Sequence, residues 1–216
     1  MIRIDNTEVF GWEAAIRGAR NPMNSWDRSD SHWAFEDPED AVDPEDPEMV
    51  YVVGENDLDL MKRLVAAGSD HSKFMRMINV TFDILMPLYF AKQFDTYKVS
   101  TVANSCSTMH RIHTKDFTLD DFSHEHLDYI GVSHLENIIG YLNVNRECFN
   151  KTKEKDYWWN MIQSLPSSYN QLRTVQLNYA VLRNMYHARK NHKLTEWHDF
   201  CAWVETLPLA KELICS

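Results

Sequence analysis

Phe82-Asp83-Ile84-Leu85-Met86-Pro87-Leu88-Tyr89-Phe90-Ala91-Lys92-Gln93-Phe94-Asp95-Thr96-Tyr97-Lys98 is the stretch that decides the fold. Its first part reads as an apolar strand. Pro87 then fixes the backbone at the first turn of a helix, which carries Gln93, Tyr97 and Lys98 to its far end. Directly after it, Ser100-Thr101-Val102-Ala103-Asn104-Ser105-Cys106-Ser107-Thr108 is dense in small hydroxyl and amide groups. Such a segment suits wrapping a polar ligand better than filling a core.

Working outward, the same strand is expected to begin near residue 74, because Ile78, Val80, Phe82 and Ile84 alternate. The helix is expected to run over 88–98. Residues 3–5 predict a short first strand and residues 8–19 a helix, with Val9, Trp12, Ala15, Ile16 and Ala19 on one face and Asn21-Pro22 as its stop. Asn56 or Asp57 is the expected cap of a helix through Leu58, Met61, Leu64 and Val65, ended by Gly68. Helical segments are expected within 118–146, starting near Asp120 or Asp121, and over 151–164, 169–190 and 195–206, the last capped by Thr195. Residues 37–48 are acidic and proline-rich and predict a surface loop. The fold class is therefore α+β, helix-rich with a small mostly antiparallel sheet, in one domain spanning 1–216.

Composition narrows the function. The 216 residues carry a net charge of −10, which disfavours general nucleic-acid binding. With 44% apolar residues the chain can bury a core, yet it has no 18-residue apolar run, so no membrane partner is expected. Met1-Ile2-Arg3-Ile4-Asp5-Asn6 lacks the apolar region of a signal peptide. Cys106, Cys148, Cys201 and Cys215 are scattered, without a C-x-x-C pair. Together these predict a cytoplasmic protein with no structural metal or disulfide.

The clearest site signal lies after Leu165-Pro166. Asn178, Leu182, Met185, Arg189 and His192 share one helical face. Burial of Leu182 and Met185 would draw Asn178 and Arg189 toward the interior or an interface. A guanidinium held there needs a partner: a structural carboxylate, or a ligand's carboxylate, phosphate or pyrimidine carbonyl.

This pattern resembles the flavin-dependent thymidylate synthases, in which Leu-Pro precedes a long helix bearing an Asn and then an Arg. Here these are Leu165-Pro166, Asn178 and Arg189. Lys92-Gln93-Phe94 is similar to the family's Arg-Gln-Trp, and Thr96-Tyr97-Lys98 stands where the family has Arg-His-Arg. Thr101, Asn104 and Ser107 match its following polar positions, and Gly68-Ser69-Asp70-His71-Ser72-Lys73-Phe74 its Gly-His-Glu-Ser-Pro-Phe segment. The Arg that grips the nucleotide phosphate is replaced by Ile162, which leaves Arg173 or Lys98 to substitute.

The resemblance implies transfer of a one-carbon unit from methylenetetrahydrofolate to C5 of deoxyuridylate, with hydride from reduced FAD and NADPH as reductant. It implies that Gln93, Asn104, Ser107 and Arg189 bind the pyrimidine deoxynucleotide, Arg189 being catalytic. It also implies that His71, Tyr97, Lys98, Thr101 and Asn178 bind FAD, in a homotetramer whose sites lie between subunits. The altered Arg-His-Arg supports an alternative, a nucleotide-binding or structural oligomer without flavin chemistry. His110, His113, Asp116, His124 and His126 raise a third, a metal-dependent hydrolase.

Overall fold

The computed structural model describes residues 1–35 and 49–216. The acidic, proline-rich run at 37–48 lies outside the described residues. In chain order the elements are β1 (Arg3–Phe10), α1 (Trp12–Arg20), β2 (His32–Phe35), β3 (Met49–Val52), α2 (Glu55–Ala66), β4 (Asn79–Pro87), α3 (Leu88–Phe94), β5 (Val102–Ser105), α4 (Tyr129–Thr152), α5 (Lys155–Ser164), β6 (Asn170–Asn178), α6 (Tyr179–Arg189), α7 (Thr195–Glu205) and α8 (Ala210–Leu213). The architecture is the expected one: helix-rich, with a four-stranded antiparallel sheet in the order β1-β4-β6-β5 and a separate β2–β3 hairpin.

β4 is the spine. Val80, Phe82, Ile84 and Met86 point to one face and are buried, as strand alternation demands. The opposite face is polar, where Asp83 accepts hydrogen bonds from Thr174 Oγ1 at 2.6 Å and Asn6 Nδ2 at 2.8 Å. Against the apolar face pack Ile16, Met61, Phe90, Phe94, Leu182, Met185, Trp197 and Phe200 in one continuous core. A second, smaller core of Ile112, Phe117, Phe122, Leu135, Leu142 and Met161 lies under α4 and α5.

Several boundaries depart from expectation. Residues 169–190 are not one helix: 170–178 form β6, paired along its whole length with β4 from Asn79↔Asn178 to Pro87↔Asn170. Val175 and Leu177 are buried on either side of exposed Gln176, and a strand hydrogen-bonded on both edges satisfies that segment's backbone. The helix expected over 8–19 starts only at Trp12, because Glu8, Val9 and Phe10 pair with Thr81, Val80 and Asn79. Gly11 makes the turn between them at φ 97°, and a Cβ there would meet the Met77 carbonyl oxygen at 2.1 Å.

Residues 73–76 form a 3-10 turn ahead of β4, and α3 stops at Phe94. The cap of α2 comes from neither Asn56 nor Asp57. Asp30 reaches across the chain, its carboxylate accepting from the backbone N–H of Asn56 at 2.9 Å and of Asp57 at 3.1 Å. Asp121 closes a 3-10 turn, and Asp128 caps the long helix through Gly131 N–H at 2.8 Å. Lys153 separates α4 from α5, and Thr195 is the first residue of α7 without a capping bond. The hydroxyl-rich segment after Ser100 is partly strand: Val102–Ser105 forms the exposed edge of the sheet.

Candidate functional site

Two junctions build the site. The first is the end of α3, where the chain turns through Thr96, Tyr97 and Lys98 and passes Ser100 at φ 61°. The second is the β6–α6 junction, where the extended Asn178 caps α6 by accepting from Val181 N–H at 3.1 Å. Because β4 leads into α3 and β6 into α6, pairing of β4 with β6 brings the junctions together.

Between them lies a cavity of about 340 Å³ lined by Arg76, Tyr97, Lys98, Ser100, Asn178 and Asn184, among others. Asn178 is only 4% exposed. Its Nδ2 makes no hydrogen bond among the described residues, which leaves two donors for a ligand.

Beside the cavity, α6 ends at Arg189. Its Nε donates to the Tyr97 hydroxyl at 2.8 Å, and its guanidinium carbon lies 5.5 Å from the Tyr97 ring centre and 5.0 Å from that of Trp197. No carboxylate pairs with Arg189 among the described residues, so the structural ion pair weighed above is absent. Aromatic faces hold the cation by its quadrupole attraction and leave its Nη groups unspent. Trp197 is fully buried and donates from Nε1 to Gln93 Oε1 at 2.9 Å. A second tie between α3 and α7 runs from the Tyr89 hydroxyl to the buried Glu196 carboxylate. Burial, then this carboxylate, pushes the Tyr89 phenol well above its ordinary range, so it stays a neutral donor.

Of the residues singled out from sequence, Tyr97, Lys98 and Asn178 therefore meet at the cavity, and Arg189 and Gln93 meet at Trp197. Thr101 follows the cavity wall, and its Oγ1 is buried without a partner among the described residues. The others do not line the cavity. His71 is exposed in the turn after α2. Asn104 faces out from β5 opposite Thr174, and exposed Ser107 accepts from His110 N–H at 3.0 Å. Arg173 is engaged, with Nη1 2.6 Å from Asp95 Oδ1 and Nε 3.1 Å from Gln171 Oε1. Ile162 packs on the smaller core.

Sequence reasoning missed Arg76, Asn184 and Trp197. Arg76 lay inside a segment expected to be strand. Asn184 is off the stripe through Leu182 and Met185. Trp197 lies among tryptophans at helical spacing, a pattern that by itself signals only core or interface packing.

The cavity's donor set suits a polar, phosphate-bearing ligand: two cations in Arg76 and Lys98 and the amides of Asn178 and Asn184. The volume is near the lower end of the roughly 300–1,000 Å³ of small-molecule sites, room for only part of a dinucleotide. These residues fit a portion of FAD.

The histidine and acid cluster does not converge. His124 Nδ1 lies 2.8 Å from Phe122 O, and His126 Nε2 3.2 Å from Thr195 Oγ1. Among the described residues, no three His, Cys, Asp or Glu side chains group as metal ligands. No described helix is long and apolar enough to cross a membrane.

Comparison with known proteins defines the fold. The flavin-dependent thymidylate synthase ThyX from Helicobacter pylori, solved with FAD and dUMP, superposes with a TM-score of 0.67 at 15% identity, covering 98% of this chain and 97% of that one. A second structure, Thymidylate Synthase X from Helicobacter pylori with FAD and dUMP, gives 0.67 at 14% identity over 99% and 97%. No protein-family profile matches the sequence, and no curated protein does. The chain has a ThyX-like fold.

Proposed function

We propose that this protein is a flavin-dependent thymidylate synthase-like enzyme, with the whole chain as one such domain. The observation that carries the reading is Arg189, held between Tyr97 and Trp197 with no carboxylate partner among the described residues, beside a cavity that joins Lys98 and Asn178. The ThyX-like fold supports it.

In this reading Arg189 and Gln93 bind the pyrimidine of deoxyuridylate. The unspent guanidinium N–H groups face a carbonyl oxygen and stabilise the charge that develops there as C5 becomes nucleophilic toward the one-carbon unit of methylenetetrahydrofolate. Tyr97 fixes the guanidinium through Nε and excludes water from one side. Lys98, Arg76, Asn178 and Thr101 would hold FAD, whose bound reduced form supplies the hydride. NADPH would be the reductant. Asn104, Ser107 and His71 lie off the cavity and would join a site completed by other subunits of a cytoplasmic homotetramer.

The test is the visible spectrum of untagged protein with identification of any released chromophore, followed by rescue of a strain lacking thymidylate synthase. Released FAD and growth without thymidine are expected. A colourless protein that takes up no added FAD and rescues nothing would replace this reading with a nucleotide-binding oligomer lacking flavin chemistry.

A further inference from the structure

We propose that the cavity between α4, α5 and the segment after β5 is a second small-molecule site, built for a flat aromatic carboxylate. It stands apart from the site described above and does not depend on how that site is read.

The cavity measures about 460 Å³, and three segments supply its walls. Phe149 comes from the end of α4, Lys155, Trp158 and Trp159 from the first two turns of α5, and Met109 and His113 from the stretch after β5. Helical spacing puts both indoles, three and four residues on, beside Lys155. The left-handed Lys153, at φ 62°, turns the chain so that α5 folds back on α4, and Leu142, Met161 and Ile162 hold that packing in the smaller core. No residue is shared with the cavity of Arg76, Lys98 and Asn178, which lies against the larger core.

The walls are fixed. Trp158 Nε1 donates to the Met109 carbonyl at 2.9 Å, and Asn150 Nδ2 donates to the His113 carbonyl at 3.1 Å. These bonds tie both ends of residues 109–113 to the helices. The Trp158 and Trp159 rings meet at 71° with centres 4.7 Å apart, and His113 and Phe149 meet at 73° and 4.9 Å. A flat ring set in the angle of such a pair stacks on one member and meets the other edge to face, the two arrangements that aromatic quadrupoles favour. Trp158 has spent its only donor, so it offers a ligand ring surface alone.

Charge decides the sign of the ligand. Lys155 lines the cavity and forms no ion pair among the described residues, where the paired lysines are Lys115 and Lys151. Lys153 Nζ adds a cation 5.5 Å from the Phe149 ring centre. Among the described residues no carboxylate lines the cavity, so a cage for an organic cation has the wrong field here. A nucleotide fits poorly as well. Besides Lys155, only His110 and His113 bring polar side chains to the wall, and the hydroxyls of a sugar would be desolvated without partners. What remains is a ring for the aromatic walls and one negative charge for the ammonium.

Ligand-observed NMR titration tests this with three probes of similar size, 2-naphthoate, 2-naphthamide and 2-naphthylmethylammonium, on wild type, Trp159→Ala and Lys155→Gln. Both side chains are exposed, so both variants should fold. Wild type should bind 2-naphthoate with a Kd of about 1 mM or tighter. The neutral amide should bind about fivefold more weakly, the scale of one exposed charge pair, and the ammonium more weakly still. Lys155→Gln should bring 2-naphthoate to the affinity of the amide and leave the amide unchanged. Trp159→Ala should weaken both by about five- to tenfold. Saturating deoxyuridylate should not displace 2-naphthoate. The proposal is overturned if 2-naphthoate fails to bind at about 10 mM, if the three probes bind equally, or if either variant leaves 2-naphthoate affinity unchanged. Displacement by deoxyuridylate would also overturn it, by making the cavity part of a nucleotide site. FAD uptake tests the proposed function separately, and its outcome leaves this proposal untouched.

Discussion

Arg189 and Tyr97, 92 positions apart, share a hydrogen bond of 2.8 Å from Nε to the phenolic oxygen while the guanidinium lies over the same ring. The pair ties the last turn of α6 to the turn after α3, and it orients a cation whose remaining donors no described carboxylate consumes.

Arg189→Ala should therefore lower deoxyuridylate affinity by about 100-fold, the scale of two charge-assisted hydrogen bonds. The side chain is half-buried, so the melting temperature should move by less than about 4 °C. Calorimetric titration and thermal melting measure the two. Unchanged affinity would remove Arg189 from the base-binding role.

Tyr97→Phe isolates the hydroxyl. The ring keeps its cation–π contact, but Nε loses its acceptor and the guanidinium gains freedom. Deoxyuridylate affinity should fall by about three- to tenfold. A loss as large as that of Arg189→Ala would mean that the phenol itself touches the ligand.

Asn178 has two duties, capping α6 and presenting Nδ2 at the cavity. Asn178→Ser keeps a capping oxygen and removes the amide N–H groups. Its stability should stay within about 0.5 kcal/mol of wild type. FAD uptake, followed by absorbance after dialysis, should nevertheless fall several-fold. If uptake is retained, the residue is only a cap.

Asp57 predicts an acid limb in the stability profile. It is 1% exposed and paired with Arg20 Nε at 2.5 Å. Burial opposes its charge, but hydrogen bonds from Ser31, Ser29 and Arg20, with the Arg20 charge, win and hold the carboxyl below its ordinary value. A carboxyl depressed in the folded state stabilises above its unfolded value and loses that contribution as pH falls through the folded one. Wild-type stability should drop below about pH 4. Asp57→Asn leaves Arg20 buried and unpaired, at a cost of about 3–5 kcal/mol near neutrality. The gap to wild type should narrow as pH falls below about 4, as chemical denaturation across pH measures. A constant gap would show that the charge of Asp57 contributes nothing.

Much of this was legible in the sequence, for local reasons. The alternation of Val80, Phe82, Ile84 and Met86 announced β4, and Pro87 announced the helix after it. The spacing of Leu182, Met185 and Arg189 placed the cation on the buried side of α6. What stayed hidden depended on partners far along the chain. β6 reads as helix until β4 and β5 are alongside, because only their backbone groups make an extended form favourable there. Asp57 reads as a helix cap until Asp30 takes that duty from 26 and 27 residues away and Arg20 claims its carboxylate.

By itself, then, the sequence determined the class of fold and the chemical types at the site, since periodicity and side-chain chemistry are properties of short segments. Only the tertiary structure decided which groups remain available. It engaged Arg173 with Asp95 and, among the described residues, kept Arg189 free of carboxylates, and it turned the buried Trp197 into the group that orients Gln93. A hydrogen-bond donor is spent or unspent according to what the folded chain brings within about 3 Å of it, and no local pattern carries that distance.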